Sequence, residues 1–376
     1  MPAVRKVLVI GAGLAGTASA IRLAQSGVGV DIAEKQTDVS ALGSGITLQG
    51  NALRALRELG VWEQAEKLGY SYDSLGLRAP DPNGTLIVEL DEMRTGGPDL
   101  PATAGMYRPD LAFLLMERAI EVGAKPRLGV APVSLRQDEE GVDVEFDDGT
   151  SGRYDLVIGA DGVRSWTRRA IGIDVQTTPT GMGIWRVFTD RPETVTRTDL
   201  YYGGPSYIAG YCPTGPDTLY AYVVEKAQDR FSLTSSEKLS IIRELAAAYH
   251  GPWDEIRDSI TDAATVNYTW FETHVVPAPW NRGRVVIIGD AAHVCPPTVA
   301  QGGAQALEDA LVLTEVLLEH STLDDQLWQE FMDRRFDRAS EVVEASLQLG
   351  RWLQDGVRGD VPGLMHRVAT LVQAQP

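Results

Sequence analysis

The chain has 376 residues, 44% hydrophobic and 23% charged, the composition of a folded globular protein too long for one small core, so two joined domains or one large composite are expected. Its 34 basic and 52 acidic residues give a net charge of −18, which argues against an extended nucleic-acid surface. With no run of about eighteen apolar residues, no basic and apolar leader, two cysteines (Cys212 and Cys295) and no metal-ligand spacing, the expectation is a cytoplasmic protein with no membrane span, no disulfide framework and no metal.

The apolar run at residues 7–10 is of the kind buried on both faces of a parallel sheet. It meets Gly11-Ala-Gly13-Leu-Ala15-Gly16, and residues 17–24 continue with small and apolar residues at helical spacing. In a Gly-x-Gly-x-x-Gly turn the first glycine makes the tight turn, the second admits a pyrophosphate to bare backbone, and the third packs helix on strand. The helix N-terminus adds N–H groups and partial positive charge. A second strand, residues 28–33, ends in Glu34, about twenty residues past the turn, where a carboxylate binds a ribose hydroxyl. Strand, turn, helix, strand and acid in that order predict a dinucleotide site, against the plainer reading of an ordinary tight turn.

Residues 42–51, Leu-Gly-Ser-Gly-Ile-Thr-Leu-Gln-Gly-Asn, read as a glycine-rich loop beside that site, ahead of a short helix closed by Gly60. Residues 73–89 alternate as strands about the turn Pro82-Asn83-Gly84. Tyr107-Arg108-Pro109 starts a helix running to about residue 122, with Pro109 in its first turn. Arg108 can there reach a phosphate or carbonyl, or form a surface salt bridge. Two antiparallel strands at residues 130–137 and 141–146 lead to a buried strand, 156–158, that opens on Gly159-Ala-Asp161-Gly162-Val-Arg164-Ser. Its loop points to the same sheet edge as the glycine turn, which makes Asp161 and Arg164 candidates for the crevice.

From about residue 177 to 224 the segments become short, aromatic and β-rich, predicting an inserted antiparallel sheet with one face over a pocket; each aromatic taken singly reads equally well as core. Residues 236–249 read as helix. A third buried strand, 285–288, ends in Gly289-Asp290-Ala-Ala-His293. Pro296-Pro-Thr-Val-Ala300-Gln301-Gly302-Gly303-Ala304 follows and feeds a buried helix over 305–319, its positive end aimed at the loop. Past residue 322 the pattern is amphipathic helix.

In Gly11-x-Gly13-x-x-Gly16, Asp161-Gly162 within Gly159-Ala-Asp-Gly-Val-Arg-Ser, and Gly289-Asp290-Ala-Ala-His, taken in that order, the sequence resembles the single-component FAD-dependent aromatic monooxygenases. This is the para-hydroxybenzoate hydroxylase-like family, which includes urate, salicylate and hydroxynicotinate hydroxylases. The similarity runs from residue 1 to about 320. It implies an α/β fold with a Rossmann-like FAD-binding domain, an inserted antiparallel β-sheet substrate domain and C-terminal helices. The implied layout is FAD-binding residues 1–72, 101–176 and 281–320, substrate-domain residues 73–100 and 177–280, and helices over 321–376.

The resemblance further implies that Gly11, Gly13, Ala15 and Gly16 hold the ADP part of FAD, with Glu34 at the ribose and Lys35 beside it. Arg108 matches the arginine on the flavin chain, Thr47 the loop position beside the cofactor, and Pro132 a backbone contact near adenine. Asp161-Gly162, with Arg164 alongside, lies near the pyrophosphate and is tied in the family to FAD and NAD(P)H. Gly289 and Asp290 touch the ribityl or pyrophosphate region, and Gln301-Gly302-Gly303-Ala304 bind the isoalloxazine. Ala300 stands where the family has glycine before Gln-Gly, and Ala304 where asparagine is frequent. The implied activity is hydroxylation of a small aromatic or N-heteroaromatic substrate with NADH or NADPH and O₂, through a flavin C4a-hydroperoxide, with a homodimer as a candidate assembly. Arg186, Tyr211, Tyr222 and His293 are the candidates for positioning substrate; His293, beside prolines, also reads as plain loop structure. A monooxygenase of polycyclic or non-aromatic natural products, and a flavin-binding redox sensor without turnover, are the rival readings.

Overall fold

The computed structural model describes residues 2–39 and 44–376. Strand Lys6–Ile10 lies inside a six-stranded sheet ordered Asn281–Arg282, Val285–Ile287, Leu156–Gly159, Lys6–Ile10, Gly29–Glu34, Lys125–Leu128. All pairings are parallel except that of Asn281–Arg282 with its neighbour. Strand period decides what each side chain covers. Val7 and Val9 pack under helices that include Leu14–Gln25, Arg108–Glu121 and Gly302–Glu319. Leu8 and Ile10 pack instead against a three-stranded antiparallel sheet of Pro132–Gln137, Val142–Phe146 and Ser151–Tyr154. A sheet buried on both faces explains why these strands read as continuous apolar runs.

The aromatic segment builds an eight-stranded sheet ordered His293–Val294, Val266–Val275, Thr178–Asp190, Thr218–Lys226, Ile208–Pro213, Thr198–Tyr202, Ser74–Arg78, Leu86–Asp91. It is antiparallel but for one junction, Thr198–Tyr202 beside Ser74–Arg78, which is parallel. Its outer face, with Trp185, Tyr201, Tyr211 and Val223, is roofed by helices Ser235–Ala246 and Pro252–Ser259. Thr234 and Glu237 form a reciprocal capping box at the start of the first of these. Its inner face carries Arg186, Tyr220 and Tyr222 and turns toward Gly45 and Arg108.

A small sheet, Gly45–Gln49, Thr103–Tyr107 and Tyr70–Tyr72, bridges the two layers. Residues 45–49, expected as part of a glycine-rich loop, are a strand paired with Thr103–Tyr107: alternation of buried and half-buried side chains around Ile46 and Leu48 outweighs the glycines. Leu42 and Gly43 of that predicted loop lie outside the described residues. The long helix Asp325–Asp355 and helix Val361–Gln373 complete the fold. Among the described residues no helix is long and apolar enough to cross a membrane, and no cluster of His, Cys, Asp or Glu is arranged to hold a metal.

Candidate functional site

Three parallel strands end level with one another. Ala160 N–H donates to Ile10 O at 2.8 Å and Ile288 N–H to Gly159 O at 3.0 Å, so the turns after Ile10, Gly159 and Ile287 open on one crevice. At the first turn Gly11 has φ +100° and a Cβ there would collide with the Ala160 carbonyl oxygen; a Cβ on Gly16 would collide with Gly11's own carbonyl oxygen. Gly13 differs, since a Cβ there meets nothing within 4 Å and points into open space. Two of the glycines are therefore required by packing, and the third leaves room for a ligand against bare backbone at a helix N-terminus.

Glu34 closes this end. Its Oε2 accepts from Ala12 N at 2.8 Å and its Oε1 from Gln36 N at 2.8 Å, which fixes the carboxylate yet leaves each oxygen acceptor capacity for a hydroxyl. Lys35 beside it is exposed. Val130 N–H donates to Glu34 O at 3.0 Å, bringing the approach to Pro132, which is half-buried, to the same end.

The third turn folds onto the first. A Cβ on Gly289 would lie 3.1 Å from Ala15 Cβ, and one on Gly303 would lie 3.1 Å from Leu14 Cδ1 and 3.2 Å from Ile46 Cδ1. Helix Gly302–Glu319 starts earlier than the periodicity suggests, with Gly302 and Gly303 in its first turn, so their N–H groups belong to its positive end. Thr47, half-buried on the neighbouring strand, lies at the Cys212 thiol. Arg108 and Asp290 are both exposed to solvent by surface area, although protein groups surround their charged ends. Burial holds the Arg108 guanidinium below its usual range, the nearby Arg186 cation adds to this, and Asp290 opposes it. Burial raises the Asp290 carboxyl, against the pull of His293 and Arg108. A cation and a carboxylate facing one recess, with an open glycine and two helix N-termini, fit a dinucleotide whose pyrophosphate is anionic.

Several sequence candidates stand elsewhere. Asp161 borders Gly11, but its carboxylate is engaged locally. Oδ2 accepts from Thr167 N at 2.8 Å and Thr167 Oγ1 at 3.0 Å, and Oδ1 accepts from Ser165 Oγ. Gly162 next to it leaves open space. Arg164 is 85% exposed and pairs loosely with Glu272 at 3.8 Å. The buried arginine of that motif is Arg168, whose Nη1 donates to Ala291 O at 2.8 Å and whose Nη2 donates to Val163 O at 3.0 Å, tying the second turn to the third.

Gln301 turns its side chain inward. Its Oε1 accepts from Asn51 Nδ2 at 3.0 Å and its Nε2 donates to Asn51 Oδ1 at 3.1 Å and to Gln49 Oε1, so only its backbone borders the loop. Ala304 is buried in the core beside it.

Of the four residues expected to position substrate, the sheet's alternation separates one. Tyr211 lies on the outer face, donating to Asp199 Oδ2 at 2.7 Å and packed edge-on to Trp253. Tyr222 and Arg186 lie directly opposite each other on the inner face, and Arg186 donates to Thr269 Oγ1. His293 is 1% exposed and its Nε2 is 2.7 Å from Asp309 Oδ2, inside the core.

That core is an ionic network the sequence reading missed. Glu308 accepts from Arg335 Nη1 at 2.9 Å, from Arg338 Nε and Nη2 at 2.8 Å each, and from Asn51 Nδ2 at 2.9 Å. Arg338 and Arg54 also donate to the last carbonyls of helix Val361–Gln373. A signal was available in Glu308-Asp309 standing within an otherwise apolar helix, which calls for buried cationic partners.

The family model described as FAD binding domain matches residues 5–346. A 2-heptyl-3-hydroxy-4(1H)-quinolone synthase of Pseudomonas aeruginosa is 31% identical over 315 residues, 82% of this chain and 80% of its own. A 6-hydroxynicotinate 3-monooxygenase of Bordetella bronchiseptica is 29% identical over 371 residues, 94% of each chain. The crystal structure of Klebsiella pneumoniae HpxO complexed with FAD and uric acid superposes with a TM-score of 0.82 at 21% identity, over 99% of this chain and 97% of that one. The fold expected from the motifs is the fold these proteins share.

Proposed function

The chain belongs to the FAD binding domain family of FAD-dependent monooxygenases, and on that premise we propose that it hydroxylates a small aromatic or N-heteroaromatic ring with NADH or NADPH and O₂. The observation that carries this reading is the meeting of three strand-end turns, the open Gly13 and the N-terminus of helix Gly302–Glu319 in one crevice, with Arg186 and Tyr222 on the sheet face turned toward it. Its support from relatives is that those named above concern N-heteroaromatic rings.

Bound at this site, FAD would supply the hydride acceptor for reduced nicotinamide and the activation of O₂ for transfer of one oxygen atom. The first-turn backbone at Gly11, Gly13, Ala15 and Gly16 holds pyrophosphate, and Glu34 takes the ribose, with Lys35 and Pro132 at the adenosine end. Arg108, Asp290 and Thr47 hold the chain toward the ring, and Gly289 packs the third turn onto Ala15. The first-turn N–H groups at Gly302 and Gly303 would lie at the flavin ring, where a helix N-terminus suits negative charge. Asp161 orders the second turn so that Gly162 backbone borders the crevice, and the exposed Arg164, held only loosely by Glu272, is placed to meet a transient nicotinamide donor. Arg186, braced by Thr269, and Tyr222 orient the substrate, and the aromatic wall limits water. A cytoplasmic location suits two free cysteines, and a homodimer suits the exposed edge strand Leu86–Asp91.

The test is NADH and NADPH oxidation by the purified flavoprotein against a panel of hydroxybenzoates, hydroxypyridines, purines and quinolones, with product mass. Oxidation stimulated by one of them, with a product one oxygen heavier, supports the reading. Bound flavin with no stimulated oxidation by any of them would favour a redox sensor.

A further inference from the structure

The loop between Val294 and helix Gly302–Glu319 contains Pro296 and Pro297, which have no N–H to donate. It is held instead through its carbonyls and side chains. Pro297 O accepts from Ala300 N at 3.1 Å, which closes the bend. The Ser346 hydroxyl, on the long helix Asp325–Asp355, donates to Pro296 O. Thr298 Oγ1 lies 2.6 Å from both the carbonyl and the hydroxyl oxygen of Ser346, so one serine fastens both ends of the bend. Val299 is 1% exposed and packs with Val342, Ala345 and Leu349 of the same helix, and its carbonyl accepts from Gln49 Nε2 at 3.3 Å. Ser346 itself is fully buried. A serine within a helix commonly bonds back to the carbonyl four residues before it; this one reaches out of its helix to a loop 50 residues earlier in the chain.

The far end of this loop is the start of helix Gly302–Glu319, with Gly302 and Gly303 in its first turn. Preorganised N–H groups are effective only when held within about 0.5 Å of their working position, and a loop with few bonds of its own keeps that position only if outside groups hold it. Resting on the flavin reading above, in which those N–H groups lie at the ring, we propose that Ser346 and Thr298 are positioning residues for the cofactor. They anchor the Pro296–Thr298 bend to the long helix and so fix how closely the Gly302 and Gly303 N–H groups approach the ring. Neither residue belongs to a glycine motif, and Ser346 comes from a helix that no motif marks. A helix N-terminus favours the more negative redox state of a group beside it, so loosening the anchor lowers the midpoint potential of the bound cofactor.

The experiment measures the two-electron midpoint potential and the visible circular dichroism of the FAD-loaded protein in wild type, Ser346→Ala, Thr298→Val and Thr298→Ser. Ser346→Ala and Thr298→Val are each expected to weaken binding of the reduced cofactor about three- to tenfold relative to the oxidised one, a fall of about 15–30 mV, with an altered dichroic spectrum. Thr298→Ser keeps the hydroxyl and is expected to retain the wild-type values. Because the two residues form one clasp, the double variant should shift no further than the larger single one. Trp253→Phe, buried in the helical roof of the outer sheet face, is the control for lost stability and should leave the potential in place. An unmoved potential and spectrum in both Ser346→Ala and Thr298→Val overturns the proposal while the flavin reading stands. A shift of equal size in Trp253→Phe overturns it too, since general loosening would then suffice. If the wild-type protein binds no FAD, the flavin reading falls and this one with it. Thr298 is half-buried on the loop, so Thr298→Val and Thr298→Ser carry the test if Ser346→Ala fails to fold.

Discussion

Arg335 Nε donates to Asp309 Oδ1 at 2.8 Å with both side chains fully buried. The other oxygen of Asp309 accepts the Gly289 N–H at 2.8 Å and lies 2.7 Å from His293 Nε2. Burial alone would raise this carboxyl, but its contacts with His293, Arg335 and the Gly289 N–H hold it down at about 2. One carboxylate thus fastens the turn that ends the third strand to the long C-terminal helix. Removing one partner of a buried pair leaves an uncompensated charge, so Arg335→Met is expected to cost about 3–5 kcal/mol and to weaken FAD retention as well. Urea unfolding of the apo and FAD-loaded forms measures both; a loss under about 1 kcal/mol would mean the pair is dispensable.

The glycines of the first turn should part company on mutation. Gly13→Val places its side chain in open space, so the protein is expected to fold, with ordinary circular dichroism, yet to purify without flavin. Gly16→Ala drives a methyl into the Gly11 carbonyl and is expected to lower stability itself. A Gly13→Val protein carrying a full complement of FAD would remove the pyrophosphate assignment.

Ala300 sits in the left-handed region, φ 52° and ψ 33°, at the end of the Pro297–Val299 turn. A Cβ there is strained, which accounts physically for glycine as the fitting residue at this point. Ala300→Gly is expected to stabilise the protein by about 1 kcal/mol, the relieved strain exceeding the entropy of an added glycine. Thermal unfolding of the flavin-loaded protein checks it, and a lower Tm would count against this account.

His274 supplies a pH dependence. It is 6% exposed; Arg168 Nη1 donates to its Nε2 at 3.1 Å, and its Nδ1 donates to Thr177 Oγ1 at 3.1 Å. Burial, reinforced by the Arg168 charge, lowers its pKa from 6.5 to about 4. Between those values the unfolded chain holds the extra proton, so stability is lost as pH falls from 6.5 toward 4, by about 3 kcal/mol at the lower end. Denaturant titrations across that window should show the slope, and His274→Gln should flatten it. An unchanged slope in the variant would assign the effect to other groups.

The sequence by itself determined the nucleotide half of this protein. Val7 to Ile10, the three glycines and Glu34 are local in the chain, each forced by strand burial, turn geometry or a fixed span, and the three strand-end motifs could be ordered without knowing the fold. The large sheet was legible as aromatic strands, but not the face each aromatic takes. Tyr211 and Tyr222 belong to different strands, and only the pairing register put Tyr211 under Trp253 and Tyr222 opposite Arg186. The tertiary structure alone decided that Gln301 and His293 point into the core, that Arg168 and not Arg164 is the buried arginine, and that Glu308 and Asp309 meet Arg335 and Arg338 from a helix that begins after them. The physical reason is that a buried charge is tolerated only beside its partner, and partners nearly thirty residues apart leave no periodic trace in the sequence.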